Sequence, residues 1–464
     1  MPWRDAFPLP LSDVSNGEWC PRPPNAKQRA AAALLVEEAD RRAKRLGMSR
    51  RAFLRTAAGT ATAYMVLNTV YGLDQTGDAA VFPVTAEHCD DPAAARELFA
   101  ADYFVMDVQL HHVDVERFNN PALAFLRFLE SPAVPAEVRL QHLSQLNMIK
   151  EVFVDSETAV GVISGVPNGI PLPVETMAAT RDLTNQLAGS QRAVSQAMCD
   201  PRNPPGSDTA IDTLEHQVRD LGAVALKCYT GNGAWWLDDE DVAYPMLAEA
   251  TRLGLRVINV HKGLPQLLGA MAETYVRTRD LPKVSKDWPR LIFVAYHSGY
   301  FPGSEGISEF LETVRSLRRR RNVYAEIGST FALTVTQGPA AAAHLLGSLL
   351  KELGPDNILW GTDSIWWGSP QWQIDAFKML TIPPAMQEEF GYPALTEHAK
   401  RRIFGLNAAK LYRIRVREAR CTIDADRLSS LRAELGGRDA PRSLGVYGPR
   451  TRRDFLRMLA REAT

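Results

Sequence analysis

Cysteine is scarce in this chain: Cys20, Cys89, Cys199, Cys228 and Cys421 in 464 residues. They are odd in number, scattered, and form no Cys-x-x-Cys pair. That argues against a disulfide framework and against a cysteine-built zinc module, and it fits folding in a reducing compartment. Charge of one sign is missing too, since 53 Lys and Arg face 54 Asp and Glu. A chain without a basic excess offers no electrostatic footprint for nucleic acid and implies no dedicated acidic partner. No stretch supplies the ~20 apolar residues of a confident membrane-spanning helix. The glycine-rich dinucleotide loop and the Walker A loop are both absent, so nicotinamide redox and nucleotide-triphosphate chemistry recede.

What remains is an ordinary folded composition, 45% hydrophobic and 23% charged. The length suits one large barrel plus extensions. Residues 1–75 read as an N-terminal extension. It starts Pro-rich and irregular (Pro2, Pro8, Pro10, Pro21, Pro23, Pro24) and continues as an amphipathic helix over residues 25–46, stopped by Gly47. Ser49-Arg50-Arg51-Ala52-Phe53-Leu54-Arg55, followed by a mildly apolar stretch to Tyr71, resembles a twin-arginine export signal. Arg452-Arg453-Asp454-Phe455-Leu456-Arg457 repeats the pattern near the C-terminus, where it cannot be a signal. Two readings stand: export to the periplasm, or a helix capping the barrel or an interface in a cytoplasmic protein.

Over residues 100–412 short apolar runs alternate with helical patterns. The candidate strands are Phe104–His111, Ala159–Ser164, Ala193–Met198, Ala223–Lys227, Arg256–His261, Leu291–His297, Asn322–Ile327 and Asn357–Asp363. Eight strands, mostly followed by helices, predict an α/β fold of the (β/α)8 TIM-barrel type. Residues 413–464 form a basic C-terminal extension (Arg413, Arg415, Arg417, Arg420, Arg427), read as a solvated tail on the outside of the barrel.

Four strand ends carry the chemistry: Asp107-Val-Gln109-Leu-His111-His112, Asn259-Val-His261-Lys262-Gly263, Ala295-Tyr-His297-Ser298-Gly299 and Trp360-Gly-Thr-Asp363-Ser364. In a barrel of this type the active site is built at these C-terminal ends. Imidazoles and a carboxylate held there are the usual ligands of catalytic Zn²⁺ or Mn²⁺, with Fe²⁺ a further candidate. Such a cation brings the pKa of water down to about 7. His112 points to the opposite face by strand alternation and is expected to be structural.

This order of His, His, His and Asp is similar to that of the amidohydrolase superfamily, and specifically of its amidohydrolase-related subgroup of decarboxylases, lactonases and hydratases. The resemblance extends over roughly residues 100–412 and includes Phe404-Gly-Leu-Asn407-Ala after the last strand. It implies one divalent metal, Zn²⁺ before Mn²⁺, held by His111, His261, Asp363 and a weak Gln109 oxygen. It further implies that Asp363 is both ligand and proton carrier, and that His297 orients or protonates the substrate. The family's strand-1 motif is His-x-His or Glu-x-His, whereas here it is Gln109-Leu-His111. An amide oxygen is a neutral, weak ligand, so a single-metal site is expected rather than one bridged by a carboxylated Lys227.

Lys227, Lys262, Glu326, Trp236 and Trp366 are weaker candidates for contacts to a small-molecule substrate, each with a structural reading beside it. The leading functional expectation is a metal-dependent hydrolase acting on an amide, lactone or ester of a small organic acid. The alternatives are a non-oxidative decarboxylase of an aromatic or dienoic acid, and a metal-free small-molecule-binding barrel. Self-association is expected by family analogy alone.

Overall fold

The apolar runs become strands because Val, Ile and Leu pack well in a pleated sheet that is covered on both faces. In a computed structural model, which describes residues 7–72, 80–114, 140–167, 172–265, 272–317, 321–439 and 444–459, these strands are β1 (Val105–Leu110), β2 (Thr158–Ile163), β3 (Ala193–Ser195 and Ala197–Met198), β4 (Leu226–Cys228), β5 (Val257–Gly263), β6 (Ile292–Tyr300), β7 (Val323–Glu326) and β8 (Ile358–Leu359). Every paired neighbour is parallel. The ring closes where Val108 N donates to Trp360 O at 3.1 Å and Asp363 N donates to Gln109 O at 3.1 Å. The fold is the expected (β/α)8 barrel.

The lower part of the barrel is filled by Met106, Val108, Val160, Val162, Val194, Val257, Val294, Tyr296 and Leu359. Tyr412, beyond the closing helix Asn407–Leu411, reaches this interior, and its hydroxyl donates to Asn259 Oδ1 at 3.3 Å. The site is created by a slip in β1. Met106 and Val108 belong to this inner cluster, whereas Leu110 belongs to the outer core. The alternation therefore shifts by one residue at the register irregularity between Asp107 and Leu110. Such a shift re-aims side chains, and here it brings Gln109 and His111 inward together. Asp107 pins the irregularity to β8, its Oδ1 accepting from Gln109 N at 3.0 Å and Thr362 N at 3.1 Å.

The extensions are built into the fold. Helices α1 (Ala26–Arg45), α2 (Arg50–Phe53) and α3 (Ala57–Tyr71) precede the barrel. The twin-arginine resemblance is not supported, for a physical reason. Ser49 Oγ caps α2 by accepting from Ala52 N at 3.2 Å, and Arg50 pairs with Asp40 at 2.7 Å. The apolar stretch after it is α3, buried from Ala57 to Tyr64 and tied to the barrel by Tyr64 Oη donating to Trp372 O at 2.8 Å. The same local pattern that suits a signal suits a capped core helix. Among the described residues no helix is long and apolar enough to cross a membrane. The C-terminal segment is less solvated than its composition suggests: Asp426 is buried against Arg192 at 3.4 Å, and Arg438 pairs with buried Asp375.

Candidate metal centre at the barrel mouth

The slipped end of β1 meets the ends of β6 and β8. Gln109 Nε2 lies 3.3 Å from His111 Nε2, 3.4 Å from His297 Nε2 and 3.2 Å from Asp363 Oδ1. His111 Nε2 is 3.2 Å from the same Asp363 oxygen. The β5 residue His261 meets His297 edge-on, with ring centres 4.7 Å apart, and Tyr229 stacks on its other side at 5.1 Å. At the end of β7, Glu326 accepts from His297 N at 3.0 Å and Gly328 N at 2.6 Å. At the end of β4, the Lys227 ammonium sits 3.5 Å above the Tyr296 ring and has no hydrogen-bond partner.

The backbone is held in an uncommon shape here. His297, Ser298, Ser329 and Asp363 have φ of 63°, 51°, 53° and 56°. Each such residue costs of order 1–3 kcal/mol, which the surrounding packing must offset; clusters of this kind are typical of functional sites.

A segment not foreseen from the sequence completes the mouth. Residues 9–19 form a strap anchored by buried Leu9, Leu11, Val14 and Trp19. Gly17, at φ 104°, lets the chain turn, and Gly17 N donates to Ser15 Oγ at 2.8 Å. The turn carries Asn16 and Glu18 inward. Asn16 Nδ2 donates to Glu18 Oε2 and to Asp363 Oδ2, both at 2.9 Å. Trp19 stacks on Trp367 with ring centres 6.0 Å apart. Trp367 Nε1 donates to Ser329 Oγ at 2.9 Å, and Ser329 Oγ donates to Asp363 Oδ2. The C-terminal segment clasps the strap through Ser15 N donating to Pro449 O at 2.9 Å.

Two imidazole tautomers can be read from their partners. His261 Nε2 faces the Gly263 carbonyl at 3.0 Å, and His297 Nδ1 faces the Gly328 carbonyl at 2.8 Å. A carbonyl only accepts, so these nitrogens carry the hydrogens. The opposite nitrogens, His261 Nδ1 and His297 Nε2, are then bare lone pairs. They face Glu18 Oε1 at 3.5 Å and Glu18 Oε2 at 3.7 Å. All three groups offer ligand atoms within 4.8 Å of one another. Ligands about 2.1 Å from a tetrahedral centre stand roughly 3.4 Å apart. The donor set therefore fits a divalent cation. Buried Gln109 Oε1, without a hydrogen-bond partner, adds a further unused acceptor beside it.

Burial dominates the electrostatics. It holds His297 down to about 4 and His261 well below its ordinary value, so both rings are neutral. It lowers Lys227 to about 8 and raises Glu326 to about 8. Burial, reinforced by the Asp363 charge, pushes the Glu18 carboxyl well up. At Asp363 burial acts in the same upward direction, but the His111 hydrogen bond and charge, with His297 and Ser329, outweigh it and hold the carboxyl below the ordinary value.

Seven of the sequence-selected residues thus converge: Gln109, His111, Lys227, His261, His297, Glu326 and Asp363. Three do not. Lys262 points away, its ammonium 2.6 Å from buried Asp280 and bonded to the Tyr275 and Arg277 carbonyls. Trp236 packs on Tyr275 and under Arg279. Trp366 belongs to the outer core and holds the C-terminal segment through its carbonyl, which accepts from Tyr447 N at 2.9 Å. The indole linked to Asp363, through Ser329, is Trp367 instead, with Trp19 stacked on it. The tightest candidate ligand group also differs from the expected one: it joins His261 to His297 and Glu18, with His111 and Asp363 alongside. Asn16, Glu18, Trp19 and Ser329 were missed. The faint signal was an Asn-Gly turn carrying a carboxylate and a Trp, Asn16-Gly-Glu-Trp19, within a Pro-rich segment.

The family model described as Amidohydrolase matches residues 158–414. The chain belongs to this amidohydrolase family. It is accordingly an enzyme of a metal-dependent group. Among solved structures, an uncharacterized TIM-barrel protein from Bordetella bronchiseptica aligns at 17% identity, over 66% of this chain and 97% of that one, with a TM-score of 0.43. For 5-carboxyvanillate decarboxylase from Sphingomonas paucimobilis the figures are 16%, 68%, 100% and 0.43. For 4-oxalomesaconate hydratase from Rhodopseudomonas palustris they are 18%, 68%, 98% and 0.44. No curated protein matches the sequence.

Proposed function

We propose that this enzyme hydrolyses a C–N or C–O bond, in an amide, lactone or ester of a small organic acid, using one divalent cation. The observation that carries the reading is the setting of Asp363. Its Oδ2 accepts from Asn16 and Ser329, and its Oδ1 accepts from Gln109 and faces His111. A carboxylate ringed by donors is held in its ionised form, the form from which a general base starts. His261 and His297 would hold the cation, with His111, Asp363 and the amide of Gln109 beside them. When bound, it supplies Lewis acidity, bringing water's pKa to about 7 and polarising a carbonyl oxygen. Asp363 then takes the proton of the attacking water as the new C–O bond forms. It returns that proton to the nitrogen or oxygen that leaves as the old bond breaks. This transfer is general base and then general acid catalysis by one group. Lys227, charged and unpaired, is placed to attract the carboxylate of the substrate.

One observation favours decarboxylation as a second reading. Trp19 on Trp367, and Tyr229 on His261, are flat surfaces suited to an aromatic acid. There a protonated Asp363 would deliver its proton to carbon as CO₂ departs. The donor-rich setting of Asp363 favours the first reading. The test is turnover of lactones, amides, hydroxybenzoates and dienoic acids in ¹⁸O-labelled water. We expect a new carboxylic acid carrying the label and no CO₂. Release of CO₂ with no label incorporated would establish the second reading in its place.

A further inference from the structure

We propose that Glu18 is itself a ligand of the metal, brought into the barrel mouth by the N-terminal strap to make good the weak ligand at Gln109, so that holding the metal and docking the strap are one event. This rests on the metal-centre reading above and extends it to a residue outside the barrel.

Three observations carry it. First, the carboxylate oxygens of Glu18 face two imidazole nitrogens that carry no hydrogen: His261 Nδ1 at 3.5 Å, which has no hydrogen-bond partner, and His297 Nε2 at 3.7 Å, which has the Gln109 amide at 3.4 Å. Acceptor facing acceptor is unfavourable unless something positive lies between them. A single proton serves only one of the two contacts, whereas a cation serves the carboxylate and both imidazoles at once.

Second, Glu18 is aimed. Asn16 Oδ1 accepts from Glu18 N at 2.9 Å, and Asn16 Nδ2 holds Glu18 Oε2 at 2.9 Å. The same amide touches Asp363, which registers the strap against β8. Second-sphere contacts of this kind orient metal-binding groups. The turn is fixed from below by buried Trp19 on Trp367 and from above by the clasp to Pro449.

Third, the barrel is short of one strong ligand. Its strand-1 pair is an amide and an imidazole, Gln109 and His111, and the amide oxygen is neutral. A carboxylate arriving from the strap restores a strong, anionic donor at the same mouth.

The coupling makes two readouts move together. Chelator-treated protein is titrated with Mn²⁺ and with Zn²⁺ by calorimetry, for the unmodified chain, Glu18→Gln, Glu18→Asp and His261→Ala. Backbone hydrogen exchange of residues 9–19 is followed with and without the metal, with helix α1 as internal reference for folding. We expect Glu18→Gln to weaken metal binding roughly tenfold or more and Glu18→Asp to recover part of the loss. We expect the metal to slow exchange of the strap in the unmodified chain but not in Glu18→Gln. Unchanged affinity in Glu18→Gln, alongside lost binding in His261→Ala, would overturn the strap proposal and leave the metal centre standing. Unchanged affinity in both variants would overturn the metal centre as well. Faster turnover by Glu18→Gln would show that the strap blocks the mouth instead of completing it, and would also overturn the proposal.

Discussion

Asp363→Asn is expected to lower kcat by on the order of 10³-fold, within the 10²–10⁴ range for losing a positioned general acid–base group. The substitution keeps the shape of the side chain and removes its ability to take a proton. It also places an amide NH₂ where two oxygens now receive Asn16, Ser329 and Gln109. One end of the new amide therefore meets a donor with a donor. Some loss of stability accompanies the loss of turnover, so the kinetic measurement is made below the unfolding transition, with circular dichroism confirming a folded barrel. Activity within tenfold of the unmodified enzyme would remove Asp363 from the chemistry. Because both hydrolysis and decarboxylation route a proton through this carboxyl, the variant tests the site, while the labelling experiment tests the reaction.

Asp280→Ala is expected to have the largest effect on stability, about 3–5 kcal/mol. Lys262 and Asp280 are both fully buried, with ammonium and carboxylate 2.6 Å apart. The carboxylate also accepts from Leu237 N at 2.9 Å. Removing it strands an ammonium in a low-dielectric interior with only the Tyr275 and Arg277 carbonyls and the Thr230 hydroxyl for company. The double variant Lys262→Met, Asp280→Leu removes both charges and should recover much of the loss, since a buried pair can often be replaced by apolar groups at little cost. The denaturation midpoint of the three proteins decides it. A loss below about 1 kcal/mol in Asp280→Ala would mean that the ammonium finds another partner or loses its proton.

This pair also shows where sequence reading succeeds and where it stops. Lys262 attracts attention because it follows His261, yet adjacent residues of a strand face opposite ways, which is why His112 was set aside. Applied to Lys262, the same alternation would have placed it outside the mouth. The eight strands were legible because buried parallel strands are continuous apolar runs. His111, His261, His297 and Asp363 were legible because they end those runs. The slip that turns Gln109 inward with His111 was not legible, because it depends on Asp107 bonding to Thr362 across the closing seam of the barrel. Glu18 was not legible for a different reason. It lies in an irregular segment with no periodicity, and its role depends on where Trp19 and the clasp at Pro449 place it. The arginine-rich stretch at Ser49 left two readings open because a helix cap and an export signal share the same few residues, and the folded helices support the capping reading without deciding where the protein resides.

The most direct test of the account is the metal content of the purified protein by elemental analysis, beside His261→Ala and His297→Ala prepared in the same way. The account predicts about one divalent cation per chain, lost in both variants. No cation in any preparation, or an equal amount in all three, would contradict it.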